Sequence, residues 1–200
     1  MMSAPMTVPT TDPTPPDIDV PPRIGAAKDG KTSSVESSGL ATLGPLASFA
    51  VSRDGTRIVV IAGLPGKRQP YLGRISSVPL GSGGSELMVD SWSRVPTSLA
   101  DVTAVSWSGD LALTVLGTNT TAGANVGSAR ATYVALDGVA DPVSLPPLPS
   151  LVVAAESAGA PVDLATAPRR PTVVCTGSRS WILTGRSWAP GPPIRDPTYP

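Results

Sequence analysis

The chain has 200 residues, 40% of them apolar and 15% charged, with fifteen basic against fifteen acidic side chains and no histidine. That balance leaves no basic field to draw in nucleic acid or anionic lipid. The missing histidine removes the usual general base, a common zinc ligand and the Ser-His-Asp arrangement together.

Proline and glycine, 24 and 20 residues respectively, interrupt most windows long enough for a helix, so an all-β chain is expected. Residues 1–40 hold Pro5, Pro9, Pro13, Pro15, Pro16, Pro21 and Pro22 among Thr, Ser and Asp, followed by KDGKTSSVESSG. With no apolar periodicity, this stretch reads as a disordered Pro-rich leader with polyproline character. Its role is that of a tether or a proline-rich ligand. It lacks the basic n-region and apolar h-region of a signal peptide, and no run in the chain approaches the length of a membrane span.

From Leu43 onward the grammar is that of short strands. ASFAV (47–51) leads through Ser-Arg-Asp-Gly into the β-branched RIVVIA (57–62), a hairpin turned by Asp54-Gly55. YLGRISSV (71–78) and SELMVD (85–90) follow, separated by the loop Gly81-Ser82-Gly83-Gly84. That loop has no Lys-Ser/Thr after it and does not read as a phosphate loop.

The same order then returns. DVTAVSW (101–107) pairs with LALTVLG (111–117) across Ser108-Gly109-Asp110; ATYVAL (131–136) and a weak DPVSLP (141–146) complete the set. A third, degraded copy is expected from SLVVAAE (150–156), PVDLAT (161–166), PTVVCTG (171–177) and SWILTG (180–185).

The sextets Ala50-Val-Ser-Arg-Asp-Gly55 and Ala104-Val-Ser-Trp-Ser-Gly109 start 54 residues apart. A period near fifty with four strands per period is the pattern of propeller blades, sheets that hide their apolar faces only by stacking. The expected fold is therefore all-β: a partial β-propeller of about three four-stranded antiparallel blades over residues 41–200, with blades near 43–96, 99–148 and 149–191. Ala50, Val51, Ala104 and Val105 suit the crowded innermost strands. Three blades are fewer than a ring needs, so self-association through exposed blade faces is an expectation.

Trp107 and Trp181 are expected to pack between sheets. Trp92 and Trp188 lie nearer loops and are the candidate interaction surface. Cys175, in an apolar run, reads as a buried inert thiol. Asp101, Asp110, Asp137, Asp141 and Asp163 do not have calcium-loop spacing. Asn119-Thr120-Thr121 reads as a polar loop rather than a glycan acceptor, and Arg169-Arg170 as a surface pair. No catalytic residue, metal site or cofactor is expected.

FAVSRDGTRIVVIAG, YLGRI, DVTAVSWSGDLALTVLG, ATYVALDG and the closing GRSWAPG…PTYP resemble the C-terminal part of the LpqB-type lipoproteins of actinobacteria, over about residues 40–200. The resemblance implies a C-terminal propeller in a membrane-anchored, outward-facing lipoprotein. It also implies an accessory role in a two-component system through contact with the extracytoplasmic domain of a sensor kinase. A noncatalytic interaction module is thus the leading expectation. A truncated fragment without independent function is the alternative, since no lipoprotein signal, lipidation cysteine or N-terminal domain is read in the sequence. A propeller-fold hydrolase is third.

Overall fold

The computed structural model describes residues 24–28, 31–79, 85–119, 129–138, 140–166 and 170–193. Three antiparallel four-stranded units follow one another. The first comprises β3 (Leu46–Val51), β4 (Arg57–Ala62), β5 (Gln69–Pro79) and β6 (Ser85–Arg94). The second comprises β7 (Leu99–Gly109), β8 (Ala112–Asn119), β9 (Ala129–Ala135) and β10 (Val143–Ser144). The third comprises β11 (Asp163–Ala165), β12 (Val173–Thr176), β13 (Arg179–Thr184) and β14 (Ser187–Pro190). Each pairs its strands in chain order. The first strands, β3, β7 and β11, lie beside one another, as the innermost strands of propeller blades do. The partial β-propeller expected from the sequence is the fold.

The second strand of a blade explains the stacking. In β4 every residue after Arg57 is buried, and in β8 all but Thr118. A strand apolar on both sides needs a layer against each face. Val59 and Ile61 join Val102, Val105, Trp107, Leu113, Val115 and Val134 in the core between blades 1 and 2. Ala104, Leu116, Ala129 and Ala131 meet Val174 in the core between blades 2 and 3, with Leu164 and Trp181 packed against it.

The connectors that enter each blade are part of these cores. Val95, just ahead of Leu99 at the start of β7, is buried between blades 1 and 2; Leu148 and Val152 are buried between blades 2 and 3. Leu40, in a short 3-10 turn at Leu40–Leu43, is buried on the outer face of blade 1 with Ile58, Val60 and Val89.

Two expectations are corrected. SLVVAAE is not a strand: Ser150–Ser157 forms α1, entered from Pro149. Propensity over so few residues is a weak guide. Here the third sheet already has four strands, and a helix lets Val152 wedge between two blades. The third blade is therefore built from 163–190, with SWILTG as its third strand and SWAP as its fourth.

Part of the stretch expected as a disordered leader, 1–40, is also structured. β1 (Ile24–Lys28) and β2 (Lys31–Ser37) form a hairpin, paired from Ile24↔Val35 to Lys28↔Lys31. β2 then runs parallel to β6 at the rim of blade 1. The β1 and β2 strands carry no apolar alternation, so the hydrophobic pattern does not reveal them. Residues 1–23 lie outside the described residues, as do 80–84, 120–128 and Arg169 of the expected surface pair. A smaller shift affects the second hairpin, which turns at Asp110-Leu111, because Gly109 still pairs with Ala112.

Blade 2 contains one position closed to side chains. A Cβ on Gly117 would collide with the carbonyl oxygen of Asp101 and stand 2.9 Å from the Val102 Cα. The obstacle is backbone of the bulged strand β7 and cannot rotate away. Gly117→Ala is therefore expected to destabilise the chain by at least the ~1–3 kcal/mol of an overpacked core. In a thermal melt that is a fall of roughly 2–4 °C per kcal/mol, whereas Gly138→Ala, at an open turn, should cost less.

Candidate functional site

Two places where the inner strands meet carry the polar chemistry of the arc. The first is a cavity of about 470 Å³ lined by Ser48 of β3, Asp101 and Thr103 of β7, Asp163 and Leu164 of β11, Arg68 and Glu156. Arg68 stands just before β5, where the β4–β5 loop crosses to blade 2. Its backbone N and Nε donate to Asp101 Oδ1 at 2.7 and 3.0 Å, and its second terminal nitrogen donates to Oδ2 at 2.7 Å. The Val102 amide returns a bond to the Arg68 carbonyl, and Gln69 Nε2 donates to the Ala100 carbonyl. This charge-assisted fork joins blade 1 to blade 2.

Burial pushes the Asp101 carboxyl upward, but the Arg68 bonds and the Gly66 amide outweigh it and hold Asp101 below its usual range. Glu156, near the end of α1, goes the other way. Burial raises it, and Asp101 adds to that; Thr103 and Arg68 oppose without cancelling the shift. The cavity thus contains a satisfied ion pair beside a carboxyl inclined to keep its proton. Such a set can hydrogen-bond a small polar group.

The second place is at the far end of the inner strands, where the two sextets lie. In the first, Ser52 and Asp54 build a self-contained turn: Ser52 Oγ donates to Asp54 Oδ1 at 2.6 Å, and the Thr56 amide and hydroxyl donate to the same carboxylate. In the second, the equivalent residues reach outward. Trp107 Nε1 donates to the Ala50 carbonyl of blade 1 at 3.0 Å. Ser106 Oγ accepts from the Thr166 amide of blade 3 at 2.9 Å, and Thr166 Oγ1 donates to the Trp107 carbonyl at 2.8 Å. Thr166 was missed in the sequence because its copy has neither the Ala-Val-Ser core nor the same spacing.

The tryptophans divide as follows. Trp107 and Trp181 pack between sheets, as expected. Of the candidate surface pair, Trp92 is half-buried on the outer face of blade 1, where it lies over Gly73. A left-handed Ser91 (φ 58°) in an irregular stretch of β6 precedes it. Trp188 is half-buried between blades 2 and 3, with Nε1 donating to the Pro146 carbonyl at 3.1 Å. They lie on different blades and form no common site.

Burial, then the facing Asp163 carboxylate, pushes the Cys175 thiol up, which disfavours the thiolate. Asn119 ends β8 and is buried. Asp137, in a turn, and Asp141 are exposed, and Asp110 is exposed at its hairpin. Among the described residues no group of three or more His, Cys, Asp or Glu side chains could hold a metal ion, and no helix is long and apolar enough to cross a membrane.

Residues 14–200 match the family model described as the lipoprotein LpqB beta-propeller domain. The chain belongs to that family. Over 125 residues, 62% of this chain, it is 30% identical to Lipoprotein LpqB of Streptomyces coelicolor. The matched stretch is 20% of that protein's length, so the chain corresponds to a small part of an LpqB lipoprotein. The LpqB match takes in the β1–β2 hairpin and residues 14–23 as well as the three blades.

The Glu156 shift has a measurable consequence. Because the folded pKa lies above the ordinary 4.5, its contribution to stability is whole below that pH. It is lost as pH rises from 4.5 through the raised value, where the folded carboxyl finally ionises. Glu156→Gln should therefore match the parent's melting temperature in acid and exceed it at neutral pH. Equal melting temperatures across the whole range would show that Glu156 is not held up by burial.

Proposed function

We propose that the chain is a noncatalytic protein-interaction module of the LpqB type, acting at the cell envelope as an accessory to a sensor-kinase two-component system. Membership of the LpqB propeller family over 187 of 200 residues (14 to 200) supports this most directly. The chemistry of the arc is consistent with it. The inner-strand polar groups are spent on one another, Cys175 is disfavoured as a thiolate, and the sequence contains no histidine. The partner proposed is the extracytoplasmic domain of the kinase. In a pull-down with that domain, the chain should be enriched over a control whose loops are scrambled; equal recovery of both would count against the role.

A second reading rests on a separate observation. On the outer face of blade 1, Phe49 is 60% exposed, Val51 46% and Leu87 41%. They share the face of Ile58, Val60 and Val89, which in a stacked arc would meet another blade. Self-association through this face is the proposal. Light scattering should show mass rising with concentration, and Phe49→Asp should leave a monomer. A parent chain that stays monomeric at high concentration would eliminate this reading while leaving the kinase interaction open.

A further inference from the structure

Each inner strand follows one rule. A first residue faces the next blade, the apolar residue after it faces the blade before, and two places further on stands a side chain that can grip backwards. Ala50 packs against the core between blades 1 and 2, and Ala104 into the core between blades 2 and 3. Val105 and Leu164 turn the other way, onto blades 1 and 2 respectively. From the last place, Trp107 Nε1 donates to the Ala50 carbonyl and Thr166 Oγ1 to the Trp107 carbonyl.

Aligned by this rule, Asp163 takes the place of Ala50 and Ala104, and Arg53 that of Trp107 and Thr166. These are the charged members of the set, opposite in sign, and they belong to the two outer faces of the stack. Both are exposed, and among the described residues neither is in an ion pair. Asp163 also borders the inner-strand cavity.

Each outer face presents apolar surface around its charge. On blade 1, Phe49, Val51 and Leu87 are exposed. On blade 3, cross-strand pairing sets Asp163 on one face with Cys175, Val173, Ile182 and Ala189. The last three are half-buried and lie outside the core shared with blade 2. The two faces are unlike, so their contact is heterologous, and a heterologous contact makes a ring when its rotation closes. Propellers close with roughly four to eight blades, a range that two copies of this three-bladed chain meet and one or three copies do not.

We propose that two copies of the chain close a single ring of blades, the outer face of blade 1 in each seated on the outer face of blade 3 in the other, with Arg53 of each copy gripping Asp163 of the other. This rests on the self-association reading above and adds its second face and its stoichiometry. Arg53 does at the junction what Trp107 does within the chain, reaching back to the residue in the Ala50 place. A guanidinium–carboxylate bond there is charge-assisted and directional, and it fixes the offset of two apolar faces that would otherwise slide.

Sedimentation equilibrium on the full chain tests this. The mass should rise with concentration and level off at twice the 20.2 kDa of one chain. Arg53→Glu and Asp163→Arg should each raise the dimer Kd by about tenfold or more, since like charges then meet at both junctions. An equimolar mixture of the two variants should recover the parent's affinity, because every junction of the mixed ring joins opposite charges; that recovery also shows both variants to be folded. A mixture no tighter than either variant would overturn the proposal. So would a mass that grows past two chains, which signals an open row. Dimers that persist unchanged in Asp163→Arg would overturn the ring alone and leave the blade 1 faces paired with each other. A parent that stays monomeric would overturn both the ring and the self-association reading.

Discussion

The structure depends on strands that are apolar on both sides. β4 and β8 cannot be satisfied by their own sheets, because hydrogen bonding within a sheet covers edges and leaves both faces bare. Each needs a second layer on either side, and the cheapest layer is another copy of the same unit. Stacking follows from burial, with apolar area removed from water in series at about 25 cal/mol per Å². The connectors obey the same demand: Val95, Leu148 and Val152 fill the gaps between blades, and Leu40 fills the gap that would open beyond blade 1.

Apolar faces alone would let blades slide, since greasy contact is not directional. Directional bonds at both ends of the inner strands fix the offset. At one end the Arg68–Asp101 fork joins blades 1 and 2. At the other, Trp107 reaches Ala50 and Thr166 reaches Ser106. Gly117 allows the backbone approach that the bulged β7 requires. Some polar atoms go unpaired: Ser37 Oγ, Asp90 Oδ1 and Trp92 Nε1 near the parallel β2–β6 pairing, and Thr132 Oγ1 within blade 2, are buried without partners.

Much of this was legible in the residues. The sextets, the β-branched second strands and the period between copies specify blades, and those signals survive because they answer to local turn chemistry and to burial on both faces. What escaped depends on context. Ser150–Ser157 contains two valines and resembles a strand until the sheet beside it is seen to be full. The β1–β2 pair has no apolar stripe and left no signal in the pattern. Of the sites, the packing of Trp107 and Trp181 could be read directly, whereas Cys175, expected to be buried, is only half-buried. The Arg68–Asp101–Glu156 cavity could not, because its members come from a loop, a strand and a helix separated by 33 and 55 residues (68 to 101, 101 to 156).

One slot in the repeat has a wider meaning. Two places after the apolar residue that faces the preceding blade (Val51, Val105 or Leu164) stands Arg53, Trp107 or Thr166. Trp107 and Thr166 each grip the inner strand behind them, whereas Arg53 is exposed. The same slot thus holds a grasping side chain in two of the three units and an exposed charged one in the other, so a single letter per copy changes what the inner strand can hold on to.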